Sequence, residues 1–181
     1  MIAICTPSRD VVTAGFAFDL VQLVKKNPLS FFTVSLGTLL PNQRTELVKR
    51  SIEGHASHIL FIDSDMRFPD DTIERLKAHD KDIVAANCRH RQANKWTAGF
   101  SSKGKTGLTE VKSIGFGVTL IRTDVFFKMA EPWFATPYDG VNFIGEDVYF
   151  CHMAKEAGFK IYIDNDLSQD IKHTGSVDFG V

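Results

Sequence analysis

Two aspartates lie two positions apart, directly after a strongly apolar stretch of the chain. Residues 59–62 are Ile-Leu-Phe-Ile, and Asp63-Ser64-Asp65 follow at once. Residues two apart in an extended segment point to the same side, so both carboxylates can meet one hard cation. Such a cation can bridge the phosphates of a nucleoside diphosphate and neutralise charge as that group departs. The alternative is an acidic turn that only caps the helix predicted to start at Pro69.

A second acidic pair, Glu146-Asp147, follows Gly145 at the start of another predicted helix. A carboxylate at that position either caps the helix or acts as a general base toward an acceptor hydroxyl. His173, near the C-terminus, is a third candidate. A single histidine is usually a surface or core residue, but a neutral imidazole beside two carboxylates would complete a site for Mn²⁺ or a related metal.

These residues need a scaffold, and the sequence predicts an α/β fold. Short apolar, β-branched runs alternate with segments of helical periodicity, and Pro and Gly mark their ends. The run before Asp63 is apolar on both faces, as in the middle of a parallel sheet, and such sheets bind ligands at the carboxyl ends of their strands. Strands are predicted at residues 2–6, 31–36, 58–63, 82–86, 96–100, 108–112, 114–122 and 159–164, and helices at residues 14–26, 43–53, 147–157 and from residue 69 onward.

Length and composition agree with one soluble globular domain. The chain has 181 residues, 44% of them hydrophobic and 24% charged, with a net charge of -1. This balance argues against disorder and against a protein that binds nucleic acid through basic stripes. We predict one domain over residues 1–181, with a mostly parallel central sheet flanked by helices and a small mixed-sheet portion. We expect residues 1–90 to be a nucleotide-type α/β half, suited to nucleotide binding, and residues 91–181 to be a mixed-sheet half, the candidate acceptor and catalytic half.

The cysteines and the apolar runs indicate where the protein works. Cys5, Cys88 and Cys151 are odd in number and far apart, so we predict small buried residues and a reducing compartment rather than a zinc site or disulfides. The apolar runs fall short of the roughly 18 residues that a bilayer span requires. We therefore expect a cytoplasmic protein without a transmembrane segment, whose membrane contact, if any, is peripheral.

In their order and approximate spacing, these motifs resemble those of GT-A fold glycosyltransferases, close to the large family 2 group. Residues 59–69 look like the D-x-D region of these enzymes. Residues 114–122, which include Gly115 and Gly117, are similar to the glycine-bearing strand beside their donor and acceptor pockets. Residues 145–164 look like their ED helix and the strand after it. Together the pieces cover most of the chain.

The resemblance implies a metal-dependent hexosyltransferase-like enzyme. The donor would be a nucleoside-diphosphate sugar, UDP first and GDP second, and the acceptor a glycan, a lipid or a small molecule. Asp147 would be the catalytic base, with Glu146 holding the acceptor. The cation, Mn²⁺ or Mg²⁺, would have Asp65 as its principal ligand, with Asp63 and His173 beside it. The residues implied to bind the donor are Thr6, Pro7, Arg9, Arg44, Asp63, Ser64, Asp65 and Gly117.

Aromatic side chains offer further contacts for sugars. Trp96, Trp133, Phe134 and Tyr138 could stack on sugar faces. Residues 133–143 are expected to form either a mobile acceptor or lid loop, or simple core packing.

Two other functions stay open. One is a domain of the same fold that only binds a nucleotide-sugar or a glycan. The other is a phosphatase of the haloacid-dehalogenase type, which also has D-x-D after a buried strand. In those phosphatases the motif usually follows the first strand, whereas here it follows the third predicted strand.

Overall fold

A computed structural model describes residues 1–89 and 96–174. The elements in chain order are β1 (Ile2–Ser8), α1 (Ala14–Lys26), β2 (Ser30–Leu36), α2 (Leu40–Glu53), β3 (His58–Ile62), β4 (Met66–Arg67), α3 (Thr72–Ala78), β5 (Ile83–Ala86), β6 (Leu108–Val111), β7 (Val118–Arg122), α4 (Asp124–Lys128), α5 (Glu146–Glu156), β8 (Ile161–Asp164), α6 (Asn165–Asp170) and β9 (Lys172–His173).

Seven of the strands form one mixed sheet in the order β2-β1-β3-β7-β5-β8-β6. Strands β1, β2 and β3 pair in parallel, and β5 pairs in parallel with β8. Strand β7 lies antiparallel between β3 and β5, and β6 is antiparallel to β8. Five strands therefore share one direction, and the segments that follow them meet at one edge, which we call the carboxyl edge. Strands β4 and β9 pair separately.

Helices cover both faces of this sheet because its strands are apolar on both sides. Alternate residues of a strand point to opposite faces. Cys5 of β1 joins the core that contains side chains of α2, α4 and α5. Ile4 joins the opposite core, which α1, α3 and α6 complete. The α/β domain that the sequence predicts is therefore present. Its seven-stranded sheet, however, is mixed rather than mostly parallel, because β7 runs antiparallel in its middle.

One of the two cores, the one that contains Cys5, holds a cluster of aromatic rings. Neighbouring ring centroids lie 5.0 to 6.3 Å apart, and many of the pairs meet edge to face, an arrangement that aromatic quadrupoles favour. The six buried rings of this core are Phe61, Phe116, Phe126, Trp133, Phe134 and Phe150. This core lies beneath the carboxyl edge of β3 and supports whatever that edge holds.

Several element boundaries differ from the prediction. Helix α2 begins at Leu40 because Pro41 fits its first turn, where no backbone N–H is needed. Helix α3 begins at Thr72 rather than at Pro69. Residues 96–100 do not form a strand, and only Trp96 makes a bridge there, to Arg89. The short elements β4, α4, α6 and β9 were not predicted, since two to six residues carry little periodicity.

Residues 114–117 also lie outside the strand that was predicted over 114–122. Gly115 passes close to Thr97, whose Cβ would lie 2.9 Å from a Cβ at that position. The glycine therefore allows two segments of backbone to approach each other closely.

Burial accounts for the three cysteines. All three are buried and free of disulfides. Burial raises the pKa of Cys5 and Cys151 to about 12 and that of Cys88 to about 11, so none forms a reactive thiolate at neutral pH. Within the described ranges, no helix has both the length and the apolar character needed to span a bilayer.

Candidate active site

A buried arginine joins the two acidic motifs. Arg44 of α2 is 2% exposed. Its Nη2 donates to Asp63 Oδ1 at 3.0 Å, and its Nε donates to Glu146 Oε1 at 3.2 Å. The guanidinium also lies over the ring of Phe116, 4.9 Å from the centroid. One side chain thus connects the segment after β3 with the first turn of α5.

A glutamine side chain near the start of α2 joins this helix to the carboxyl edge of the sheet. Gln43 Nε2 donates to the backbone oxygen of Ser8 at 2.7 Å and to that of Ser35 at 2.6 Å. These two residues lie at the ends of β1 and β2, so the helix begins directly over the carboxyl edge. Arg44, the next residue along the helix, is thereby aimed beneath Asp63.

Asp63 sits in a partly desolvated position. Its backbone N–H donates to the oxygen of Gly117 at 3.1 Å, which fixes the turn at the end of β3. Burial raises the pKa of its carboxyl, and the charges of Asp65 and Glu146 act in the same direction, whereas Arg44 opposes them. A carboxyl pKa raised by burial beside a specific charged partner is typical of functional sites.

Asp65 faces His173 rather than Asp63. Asp65 Oδ2 lies 3.2 Å from His173 Nε2, and the backbone N–H of Thr174 donates to the backbone oxygen of Asp65 at 2.8 Å. The other ring nitrogen, Nδ1, donates to the backbone oxygen of Arg89 at 3.0 Å. That bond defines the tautomer and turns Nε2 toward the carboxylate.

The pair Asp65 and His173 fits a divalent cation. Two neighbouring ligands at about 2.1 Å from an octahedral ion lie about 3 Å apart, close to the observed 3.2 Å. A histidine whose second nitrogen donates to a backbone carbonyl is the usual form of a metal ligand. Asp63 is bound to Arg44 instead. In residues 1–89 and 96–174, no group of three or more His, Cys, Asp or Glu side chains is placed to hold a metal.

Asp147 lies in the first turn of α5, one residue from the Arg44 ion pair. Its Oδ1 accepts from the backbone N–H of Val148 at 2.7 Å. A Cβ at Gly145 would lie 2.7 Å from the same oxygen, so the glycine makes room for the carboxylate. Burial raises the pKa of Asp147, and the neighbouring charge of Glu146 raises it further. A carboxylate with a raised pKa is suited to accept a proton near neutral pH.

The remaining residues that were expected to bind the donor are divided by their exposure. Thr6 and Pro7 are buried within β1, and Arg9 is exposed just beyond it. Ser64 is half-buried between the two aspartates. Gly117 is buried, and a Cβ there would lie 3.2 Å from Cys88 Sγ and Met66 Sδ. Of these five residues, Arg9 and Ser64 are the ones open to a ligand.

The aromatic residues before α5 are of two kinds. Trp133 and Phe134 are 6% and 3% exposed, and Trp133 Nε1 donates to the backbone oxygen of Phe126 at 3.1 Å. These two residues therefore belong to the core, and the prediction that they stack on a sugar is wrong. Tyr138 and Phe143, by contrast, are 59% and 76% exposed.

One contact near the site, a clamp formed by Asp19 and Arg67, was not predicted from the sequence. Asp19 of α1 accepts from Arg67 Nε at 2.5 Å and from the backbone N–H of Phe68 at 3.2 Å. Gly15 gives the arginine space, since a Cβ there would lie 2.6 Å from Arg67 Nη1. An acidic residue on the apolar face of a helix is the signal that could have indicated this buried contact.

Comparisons with known proteins correct the predicted relationship to family 2 glycosyltransferases. The Anp1 family matches residues 38–103, a segment that includes Arg44, Asp63 and Asp65. Anp1 is a mannosyltransferase family, so the closeness to family 2 was wrong. The match covers about a third of the chain and is a likeness rather than membership. No curated protein matches the sequence.

A solved structure has a similar fold over nearly the whole chain. A197 from STIV superposes with a TM-score of 0.67 at 17% identity, and the match covers 99% of this chain and 97% of that chain. At this level of identity the likeness concerns the fold alone.

Proposed function

We propose that this protein is a glycosyltransferase of GT-A type that takes a sugar from a nucleoside-diphosphate donor and passes it to an acceptor hydroxyl. The observation that carries the proposal is Arg44, which holds Asp63 and Glu146 at 3.0 and 3.2 Å. The two acidic motifs thereby occupy one place at the carboxyl edge. The likeness to Anp1 over residues 38–103 supports the same reaction class and adds mannose to the sugars worth testing.

The donor diphosphate is proposed to lie beside Asp65 and His173. These two residues would hold Mn²⁺ or Mg²⁺, which neutralises charge on a departing diphosphate when it is bound. Two protein ligands suffice for such a cation, because phosphate oxygens and water commonly complete its coordination. Arg9, exposed after β1, is available to the nucleotide on the same edge. UDP is our first choice of nucleotide and GDP the second.

Asp147 is proposed as the base. As the acceptor oxygen forms its bond to the anomeric carbon, the bond from that carbon to the phosphate oxygen breaks, and Asp147 takes the hydroxyl proton. Glu146, held by Arg44, positions the acceptor. Arg44 is 2% exposed, so its contribution is to orient both carboxylates rather than to touch the donor. Most of the rate gain would come from this positioning and from charge stabilisation at the phosphates.

Calorimetric titration of UDP and GDP, with and without Mn²⁺, tests the proposal. Wild type is expected to bind one of them in the micromolar range with metal present, and Asp65→Ala to lose that binding. Asp70→Ala, an exposed acid paired with Lys26, is the matched control and should bind as wild type does. Hydrolysis of donor sugars by wild type would separate a transferase from a domain that only binds. Absence of nucleotide binding with Mn²⁺ present would refute the proposal.

A further inference from the structure

Two aromatic rings stand in solvent next to the start of α5. Tyr138 is 59% exposed and Phe143 is 76% exposed. They face each other across an antiparallel bridge, with ring centroids 5.3 Å apart and planes inclined at 51°. The pair leaves apolar ring surface exposed beside the polar groups of the same segment. Such a surface is suited to a ligand that has both an apolar face and polar groups.

The hairpin that carries the rings is closed by its own hydrogen bonds. Its turn is organised by Asp139, whose Oδ1 accepts from two backbone N–H groups at 2.8 and 2.7 Å. The Tyr138 hydroxyl donates to the backbone oxygen of Gly140 at 3.0 Å, and the N–H of Ile144 donates to the oxygen of Pro137 at 2.8 Å. The rings are therefore held outward by a defined turn.

The hairpin leads directly to the acidic pair. Phe143 and Glu146 are three positions apart, and an extended chain spans at most about 3.6 Å per residue, so their Cα atoms lie within about 11 Å of each other. Glu146 is itself fixed by Arg44 at 3.2 Å. The exposed rings and the acidic pair are therefore close neighbours along the chain.

We propose that this hairpin, residues 137–144, is the acceptor subsite and that the acceptor is a carbohydrate whose terminal ring stacks on Tyr138 and Phe143. The inference rests on the proposed function, since it names the acceptor class of the same site. A pyranose has an apolar C–H face, which matches the rings, and hydroxyls at its rim. The carboxylates of Asp139, Glu146 and Asp147 can accept hydrogen bonds from those hydroxyls.

A charge at the tip of the hairpin argues against a lipid surface as its partner. Two backbone N–H donors hold the pKa of Asp139 below its usual range, so this carboxyl is ionised at neutral pH. Inserting an ionised group among acyl chains is costly. A carbohydrate, which remains hydrated around its rim, carries no such penalty.

Glycan-array binding followed by saturation-transfer NMR with the best ligand tests the inference without any donor. Phe143→Ala and Tyr138→Ala are expected to weaken glycan binding about tenfold, while nucleotide binding with Mn²⁺ stays as in wild type. Phe127→Ala is the matched control, because Phe127 is 65% exposed on α4 at the opposite edge of the sheet. It should leave both affinities unchanged.

The outcomes separate this inference from the proposed function. A protein that binds nucleotide but no glycan on the array would overturn the carbohydrate subsite alone. Glycan binding that survives both aromatic variants would overturn it as well. Sedimentation of wild type, but not of Phe143→Ala, with phosphatidylcholine vesicles would replace the carbohydrate with a lipid surface. Failure of nucleotide binding would instead count against the proposed function, and the glycan measurement would stand by itself.

Discussion

Asp65 Oδ2 lies 3.2 Å from His173 Nε2, and the pairing of β4 with β9 brings the two residues together. In this short ladder Met66 is opposite His173, so the residue before Met66 comes to the side of the imidazole. A hydrogen bond from the backbone N–H of Thr174 to the backbone oxygen of Asp65, at 2.8 Å, holds the two segments together at the same place. The proposed cation site thus depends on a two-residue strand pair.

Replacing His173 by alanine is expected to weaken Mn²⁺ binding about tenfold or more, because the cation would lose one of two protein ligands. Electron paramagnetic resonance of free Mn²⁺, titrated in the presence of UDP, measures this without turnover. His152→Ala, an exposed histidine of α5, is the control and should bind Mn²⁺ as wild type does. Equal affinity in His173→Ala and His152→Ala would exclude His173 as a ligand.

Arg44→Met is expected to lower the free energy of unfolding by roughly 3–5 kcal/mol, since it leaves the carboxylates of Asp63 and Glu146 without their shared partner. Arg44→Lys should recover only part of the loss, because an ammonium cannot form the same two bonds in fixed directions. Urea denaturation followed by circular dichroism measures both variants.

The control for Arg44 lies on the same helix. Arg50 is exposed and pairs with Glu46 one turn away, so Arg50→Met should cost less than about 1 kcal/mol. Adding Glu146→Gln to Arg44→Met should restore some stability, because one unpaired charge is removed. If Arg44→Met and Arg50→Met had the same free energy of unfolding, the buried ion pairs of Arg44 would contribute no more to stability than an exposed pair.

Much of the scaffold could be predicted because its signals are local. The apolar run before Asp63 and the glycine before Glu146 predict a strand end and a helix start from neighbouring residues alone. Helix α1 was predicted at the bounds it has, Ala14–Lys26, since its apolar spacing is regular and Asn27-Pro28 ends it. Most other predicted elements occur with ends shifted by one to a few residues.

The partners within the site could not be predicted in the same way. Asp63 was expected at the metal or the ribose, and its ion pair with Arg44 was not predicted, because only the tertiary fold brings α2 to the carboxyl edge. The exposed ring of Phe143 and the buried ring of Phe134 lie in one loop of similar composition. Which ring enters the core depends on partners such as Phe61 of β3, whose ring lies 5.9 Å from that of Phe134 although the two residues are distant in sequence.

Asp19→Ala is expected to lower the free energy of unfolding by about 1–3 kcal/mol, because the buried N–H of Phe68 and the guanidinium of Arg67 lose their acceptor. Since Arg67 belongs to β4, the variant should also loosen the β4–β9 pair and lower Mn²⁺ affinity several-fold. Glu110→Ala removes an exposed ion pair with Lys160 and should change neither quantity measurably. If Asp19→Ala lost stability but kept its Mn²⁺ affinity, the contact between Asp19 and Arg67 would support folding alone and not the cation site.

Asp147→Asn is expected to reduce kcat by roughly 100-fold or more, as loss of a general base does, and at the same time to raise stability near neutral pH. The amide can still accept from the N–H of Val148. The wild-type kcat/KM profile should fall on its acidic side at a pH above that of an ordinary carboxyl, because the pKa of Asp147 is raised.

The sign of the stability change follows from the same pKa. The folded state raises the pKa of Asp147 above its value in the unfolded chain, so the native protein binds this proton more readily, and stability falls as pH rises through the folded-state pKa. Removing the ionisable group should therefore raise Tm at about pH 7 and have little effect at about pH 3, below both pKa values. Asp124→Asn, an exposed acid in the first turn of α4, is the control and should show no such pH-dependent gain. A lower Tm for Asp147→Asn at neutral pH would mean that the ionised carboxylate stabilises the fold, and would exclude the desolvated base proposed here.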